Sequence, residues 1–144
     1  MTLAKLLLVD DETAFLEAMS RRLNKRDFKI FTATSGIEAL EVLGENGEAI
    51  EVVILDVKMP GMDGVETLAE IKRKFPLIEV IMLTGHAIVA SAIDGMKQGA
   101  YDYLMKPCDM NVLVGKVNEA STKKRRHEEK IIEARMKEIT TRCA

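Results

Sequence analysis

The sequence predicts an α/β fold: a doubly wound, five-stranded parallel sheet in the order 2-1-3-4-5, with an extended C-terminal helix. Three observations lead there. Five short apolar runs are mostly continuous rather than alternating, the pattern of parallel strands covered on both faces. Helix-period segments separate them, so strand and helix alternate along the chain. The chain has 144 residues, enough for one sizeable core, and 2-1-3-4-5 is a usual doubly wound order for five strands.

The first run is "KLLLV" at 5–9, and Phe15, Met19 and Leu23 then share one helical face. "FKIFTA" at 28–33 is the second strand. Ser35 and Glu38 form a capping-box pattern before a helix marked by Ile37, Leu40 and Leu43. "IEVVIL" at 50–55 is the third strand, followed by a helix that starts near Gly64, carries Val65, Leu68 and Phe75, and closes at Pro76. "IEVIML" at 78–83 is the fourth, followed by Ile88, Ala92 and Met96 on a helix that closes near Gly99. "YDYLM" at 101–105 is the fifth, and Leu113, Val117 and Ala120 begin the last helix.

From Ser121 the chain has no strand signal, glycine or proline, so this helix is expected to run on. We divide the chain into a domain over 1–122 and a helical extension or linker over 123–144. Lys123, Lys124, Arg125 and Arg126 precede Glu128 and Glu129. They are read as a solvated helix with local charge pairs rather than a nucleic-acid patch. Ile132, Met136, Ile139 and Cys143 form a short a/d-like stripe, suggesting a weak homodimer.

Composition excludes several classes. The net charge of −2 gives no strong attraction to nucleic acid or anionic membrane, and no helix-turn-helix signal follows residue 122. Apolar runs fall short of a bilayer span, and the opening "MTLAKLLLVDDE" lacks a cleavage pattern. Cys108 and Cys143 form no disulfide framework, which suits a cytoplasmic setting.

Polar residues interrupt this map where parallel strands end. Asp10 and Asp11 follow the first strand, Asp56 the third, Thr84 the fourth and Lys106 the fifth. All share one sheet edge, and strands 1 and 3 flank the crevice where the winding reverses. Two close carboxylates at about 4 Å repel by about 4 kcal/mol at an effective dielectric near 20. A hard divalent cation such as Mg²⁺ would offset this, while Cys/His spacing for zinc is lacking. Lys106 and Thr84 around an acid form a cradle for a phosphoryl group, and an aspartate can itself become an acyl phosphate. Singly, each has a plainer reading: Asp11 as a helix N-cap, Asp56 as a turn residue, Thr84 as a strand residue, Lys106-Pro107 as a surface turn. Their conjunction on one edge favours the site.

The segments "VDDE" (9–12), "LDVKMPGMDG" (55–64), "LTG" (83–85) and "YLMKP" (103–107) resemble the receiver domain of two-component response regulators over roughly residues 4 to 122. The resemblance implies a flavodoxin-like phosphorylation switch rather than a conventional enzyme. It implies that Asp56 accepts phosphate from a sensor histidine kinase or phosphotransfer protein, and that the domain assists its own phosphorylation and dephosphorylation. It implies that Asp10, Asp11, Asp56 and the Lys58 backbone carbonyl organise Mg²⁺, with Asp11 the direct ligand of the acidic pair and Asp10 acting through water. Lys106 would pair with the Asp56 carboxylate, Thr84 and Tyr103 would switch, and the Lys106–Pro107 peptide would be cis. Lys58 and His86 would tune the phosphoryl lifetime. A surface including Ile88, Val89, Ala92, Tyr103 and Leu104 would change, with an unknown downstream protein reading it. The alternatives are a receiver cut from a longer transcriptional regulator, a phosphate-independent interaction domain, and a small-substrate phosphatase. The last needs an acid two residues past the nucleophile, where this chain has Lys58.

Overall fold

A computed structural model describes residues 4–85 and 89–143, without the side chains of Glu48, Val89 and Cys143. His86 and Ile88 lie outside the described residues. The elements alternate: β1 (Lys5–Val9), α1 (Thr13–Asn24), β2 (Lys29–Ala33), α2 (Gly36–Asn46), β3 (Val52–Leu55), α3 (Gly64–Lys74), β4 (Glu79–Thr84), α4 (Val89–Lys97), β5 (Asp102–Met105) and α5 (Met110–Cys143). A single 3-10 turn, Gly47–Ala49, precedes β3. The sheet is parallel throughout, in the order β2-β1-β3-β4-β5. Expected order and observed order agree.

Alternate strand residues face opposite layers. Leu7, Val9, Val53, Leu55, Val80 and Met82 pack with Ala39 and Leu43 of α2 and Leu68 and Ile71 of α3. Leu6, Leu8, Val52, Ile54, Ile81 and Leu83 pack with Leu16, Met19 and Leu23 of α1 and Leu113, Val117 and Ala120 of α5. Each such buried Val, Leu, Ile or Met side chain stabilises the fold by about 1.5–3 kcal/mol. The central strands are the continuous apolar runs, while the edge strands β2 and β5 are only partly covered.

Two helix faces differ from expectation. On α2 the buried positions are Gly36, Ala39 and Leu43, and Ile37 is 60% exposed. Gly36 explains the rotation: a Cβ there would stand 2.2 Å from Thr67 Oγ1, so α2 approaches α3 through its glycine. On α4 Gly95 is buried and Met96 is exposed. The expected capping box is half formed. Ser35 Oγ accepts from the Glu38 amide, but the Glu38 carboxylate accepts from Thr34 instead of returning to Ser35.

The basic cluster also departs from a purely solvated face. Lys123 pairs with Glu79 at 2.9 Å and Arg125 with Glu51 at 3.0 Å, while buried Lys124 pairs locally with Glu128 at 2.8 Å. Acids at the amino ends of β3 and β4 draw α5 down past residue 122. No helix among the described residues is long and apolar enough to cross a membrane.

Candidate functional site

The sheet ladder continues one residue beyond the strands. The Asp10 amide donates to the Ala33 carbonyl at 3.1 Å, Asp56 to Val9 at 2.9 Å, and Lys106 to Thr84 at 2.7 Å. These bonds fix where each side chain leaves the backbone. Val9 is in register with Leu55, so Asp10 and Asp56 emerge side by side between β1 and β3. Thr84 is the last residue of β4, in register with Met105, and Lys106 follows.

Carboxylate oxygens of Asp10, Asp11 and Asp56 all lie within 4.8 Å of one another. Asp10 and Asp56 are buried and Asp11 is exposed. A cavity of about 490 Å³ opens above them, lined in part by Asp11, Asp56, Lys58, Gly85 and Lys106. Asp11 does not cap α1. The N-cap residue is Glu12, without a side-chain cap bond, and the Glu12 amide donates to Asp10 Oδ1 at 2.9 Å. The plainer reading of Asp11 therefore loses its support.

Lys106 holds an ion pair with Asp10 Oδ2 rather than the expected one with Asp56. Its ammonium also lies 3.9 Å from the centroid of the Phe15 ring, a cation–π contact. Asp10 and Asp56 are both buried, and the Lys106 ammonium supplies Asp10 with a counter-charge. The sequence gives Phe15 no role beyond packing, because nothing local places its ring under a lysine 91 positions away.

Asp56 Oδ1 accepts from the following Val57 amide at 2.8 Å, and its carboxylate also accepts from the Thr84 hydroxyl. Burial, then the Asp10 charge, pushes the Asp56 carboxyl above its ordinary value. Lys106, Thr84 and Val57 oppose that rise without cancelling it. Tyr103 is half-buried; burial, then the charge of Asp56, raises its hydroxyl. The Lys106–Pro107 peptide is cis.

A glycine that the sequence marks only as a helix start shapes the loop. A Cβ on Gly64 would stand 2.2 Å from the Asp56 carbonyl oxygen and 2.6 Å from Val57 Cα. The Gly64 amide donates to the Val57 carbonyl at 2.7 Å. α3 thus begins against the backbone that carries Asp56, capped by Asp63, which accepts from the Glu66 amide at 2.9 Å.

Strand order and site together put the chain among the flavodoxin-like α/β domains. Within that class it belongs to the response regulator receiver domain family, whose model matches residues 6–118. It is 38% identical over 117 residues to the transcriptional regulatory protein GlrR of Escherichia coli (strain K12), covering 81% of this chain and 26% of that one. It is 40% identical over 111 residues to the response regulator protein FleR of Pseudomonas aeruginosa, covering 77% of this chain and 23% of that one. The crystal structure of a receiver domain protein from Clostridium thermocellum matches with a TM-score of 0.82 at 41% identity, covering 85% of this chain and 98% of the other. The chain spans about a quarter of the length of the curated relatives it matches.

Proposed function

We propose that this signalling domain accepts a phosphoryl group on Asp56 and that Asp10, Asp11 and the Lys58 backbone carbonyl join Asp56 in holding Mg²⁺. The observation that carries this is the placement of Asp56: 5% exposed, open to a cavity, beside two further carboxylates and bonded to Thr84. Three oxygen donors within 4.8 Å suit a hard divalent cation. Both Asp10 oxygens are engaged, one by the Glu12 amide and one by Lys106, which favours Asp11 over Asp10 as the direct ligand of the acidic pair, with Asp10 acting through water. When bound, the ion supplies positive charge for the phosphoryl oxygens.

In the step itself an Asp56 carboxylate oxygen forms a bond to phosphorus as the phosphorus–nitrogen bond of a phosphohistidine breaks. The departing imidazole keeps the electron pair and takes a proton. The donor is a sensor histidine kinase or phosphotransfer protein. Lys106 lies close enough to influence Asp56 and can move from Asp10 toward the new charge. Thr84, already donating to the carboxylate, can follow the phosphoryl group, and Tyr103 responds to the same charge. Water later cleaves the acyl phosphate, returning the carboxylate and inorganic phosphate. Lys58 lines the cavity and tunes that step.

The output is a changed surface around α4, β5 and α5, where Ile93, Met96, Met105 and Val112 are exposed apolar side chains for a downstream protein. The setting is cytoplasmic, in keeping with the free thiol of Cys108. Exposed Ile132, Met136 and Ile139 support a weak homodimer through the extension.

The test is intact mass after incubation with Mg²⁺ and a small acyl phosphate. One added phosphoryl group, lost without Mg²⁺ and lost in Asp56→Asn, is expected. A folded wild type that takes up no phosphoryl group, with the adduct protected from hydrolysis, would overturn the proposal.

A further inference from the structure

The two strands that carry Asp56 and Thr84 at one end carry a charge clamp at the other. Glu51 lies five residues before Asp56, and Glu79 five residues before Thr84. Five strand residues span about 17 Å. At this far edge Glu51 accepts from Ser121 and pairs with Arg125 at 3.0 Å. Glu79, 2% exposed, pairs with Lys123 at 2.9 Å and Lys72 at 3.0 Å. The Lys72 ammonium also donates to the carbonyls of Pro76 and Ile78, fastening the end of α3 into the same group. The two acids are tied through the sheet, since the Glu79 amide donates to the Glu51 carbonyl at 3.2 Å.

Ser121, Lys123 and Arg125 all belong to α5, beyond the last residue of the family match at 118. Glu79 is buried and Glu51 partly covered, and carboxylates withdrawn from water need partners, so the docking of this turn is specific. We propose that the segment 121–128 is an output element: it is clamped by Glu51 and Glu79 to the amino ends of β3 and β4, and the clamp is coupled to phosphorylation at their carboxyl ends. The coupling rests on the phosphoacceptor reading of Asp56, while the clamp itself does not. Coupling between two sites is reciprocal, so loosening the clamp also shifts the phosphoryl site.

Amide hydrogen exchange over 121–130, measured in the full chain with and without Mg²⁺ and a small acyl phosphate, tests it. Two variants are compared: Glu51→Gln with Glu79→Gln, and Lys123→Ala with Arg125→Ala, the second removing only half-exposed side chains. Without phosphodonor, both are expected to speed exchange in 121–130 by about tenfold while β3 and β4 stay protected. Phosphorylation is expected to change exchange there by about fivefold in the wild type and not in the variants. Exchange in 121–130 identical between wild type and the lysine–arginine variant would remove the clamp. Unchanged exchange in a wild type shown by intact mass to carry the phosphoryl group would remove the coupling. A wild type that takes up no phosphoryl group overturns the Asp56 reading and the coupling with it, with the clamp still decided by the unphosphorylated comparison.

Discussion

Gly64 and the Asp56 carbonyl oxygen are so close that a Cβ on the glycine would stand 2.2 Å from it. The start of α3 therefore sets the backbone of the candidate nucleophile. Gly64→Ala is expected to destabilise the fold by about 1–3 kcal/mol, since the contact is with backbone that cannot rotate away. Urea unfolding reads this, and Mg²⁺ titration should show weakened binding. A variant of wild-type stability and Mg²⁺ affinity would contradict the assigned role.

Lys106→Ala leaves Asp10 buried without its cation. Removing one partner of a buried pair costs about 3–5 kcal/mol. Mg²⁺ should restore part of that stability, because it binds the native state alone. The expected result is a lower urea midpoint in chelator than in Mg²⁺, with a larger gap than in the wild type. Equal midpoints for variant and wild type would argue that the pair contributes nothing.

The raised Asp56 carboxyl gives a pH dependence of definite sign. Above about pH 4 the unfolded chain has already lost this proton while the native state still holds it. Stability from this group is then lost as pH rises through the folded value. Asp56→Asn removes that loss and relieves repulsion from Asp10. The variant is expected to be more stable than the wild type at neutral pH in chelator, and the difference should shrink with Mg²⁺. Thermal melts across the pH range check both statements.

Ending the chain at residue 122 removes Lys123 and Arg125 from Glu79 and Glu51. Ion pairs whose basic partners are half exposed contribute about 0.2–1 kcal/mol each, so the two together contribute about 0.5–2 kcal/mol. The 1–122 fragment should be less stable than a 1–130 fragment by about that amount. Equal stabilities would place the domain boundary at 122.

The stripe of Ile132, Met136 and Ile139 is exposed. Sedimentation at high concentration is expected to show a partial dimer that Ile132→Lys with Ile139→Lys converts to monomer. A monomeric wild type, phosphorylated or not, would leave the stripe unassigned.

The sheet was legible because β1, β3 and β4 are unbroken apolar runs. Asp10, Asp56, Thr84 and Lys106 were legible because each interrupts or ends such a pattern at one edge. Contacts between distant residues were not. Nothing near Lys106 in sequence favours Asp10 or Phe15 as its neighbour, and nothing near Arg125 points to Glu51. Ile37 on α2 and Met96 on α4 were misread as core positions because glycine carries no hydrophobic signal, yet Gly36 and Gly95 are the positions that turn inward, while Leu43 is buried as expected.

α5 is one helix of 34 residues, Met110–Cys143. The last 15 of these lie beyond Glu128, a length of about 22 Å at 1.5 Å per residue. On the clamp proposed above, the helix is a lever with its fulcrum at Glu51 and Glu79. A tilt of about 10° there carries its tip about 4 Å sideways, so a rearrangement smaller than a side chain becomes a displacement that a neighbouring protein can sense.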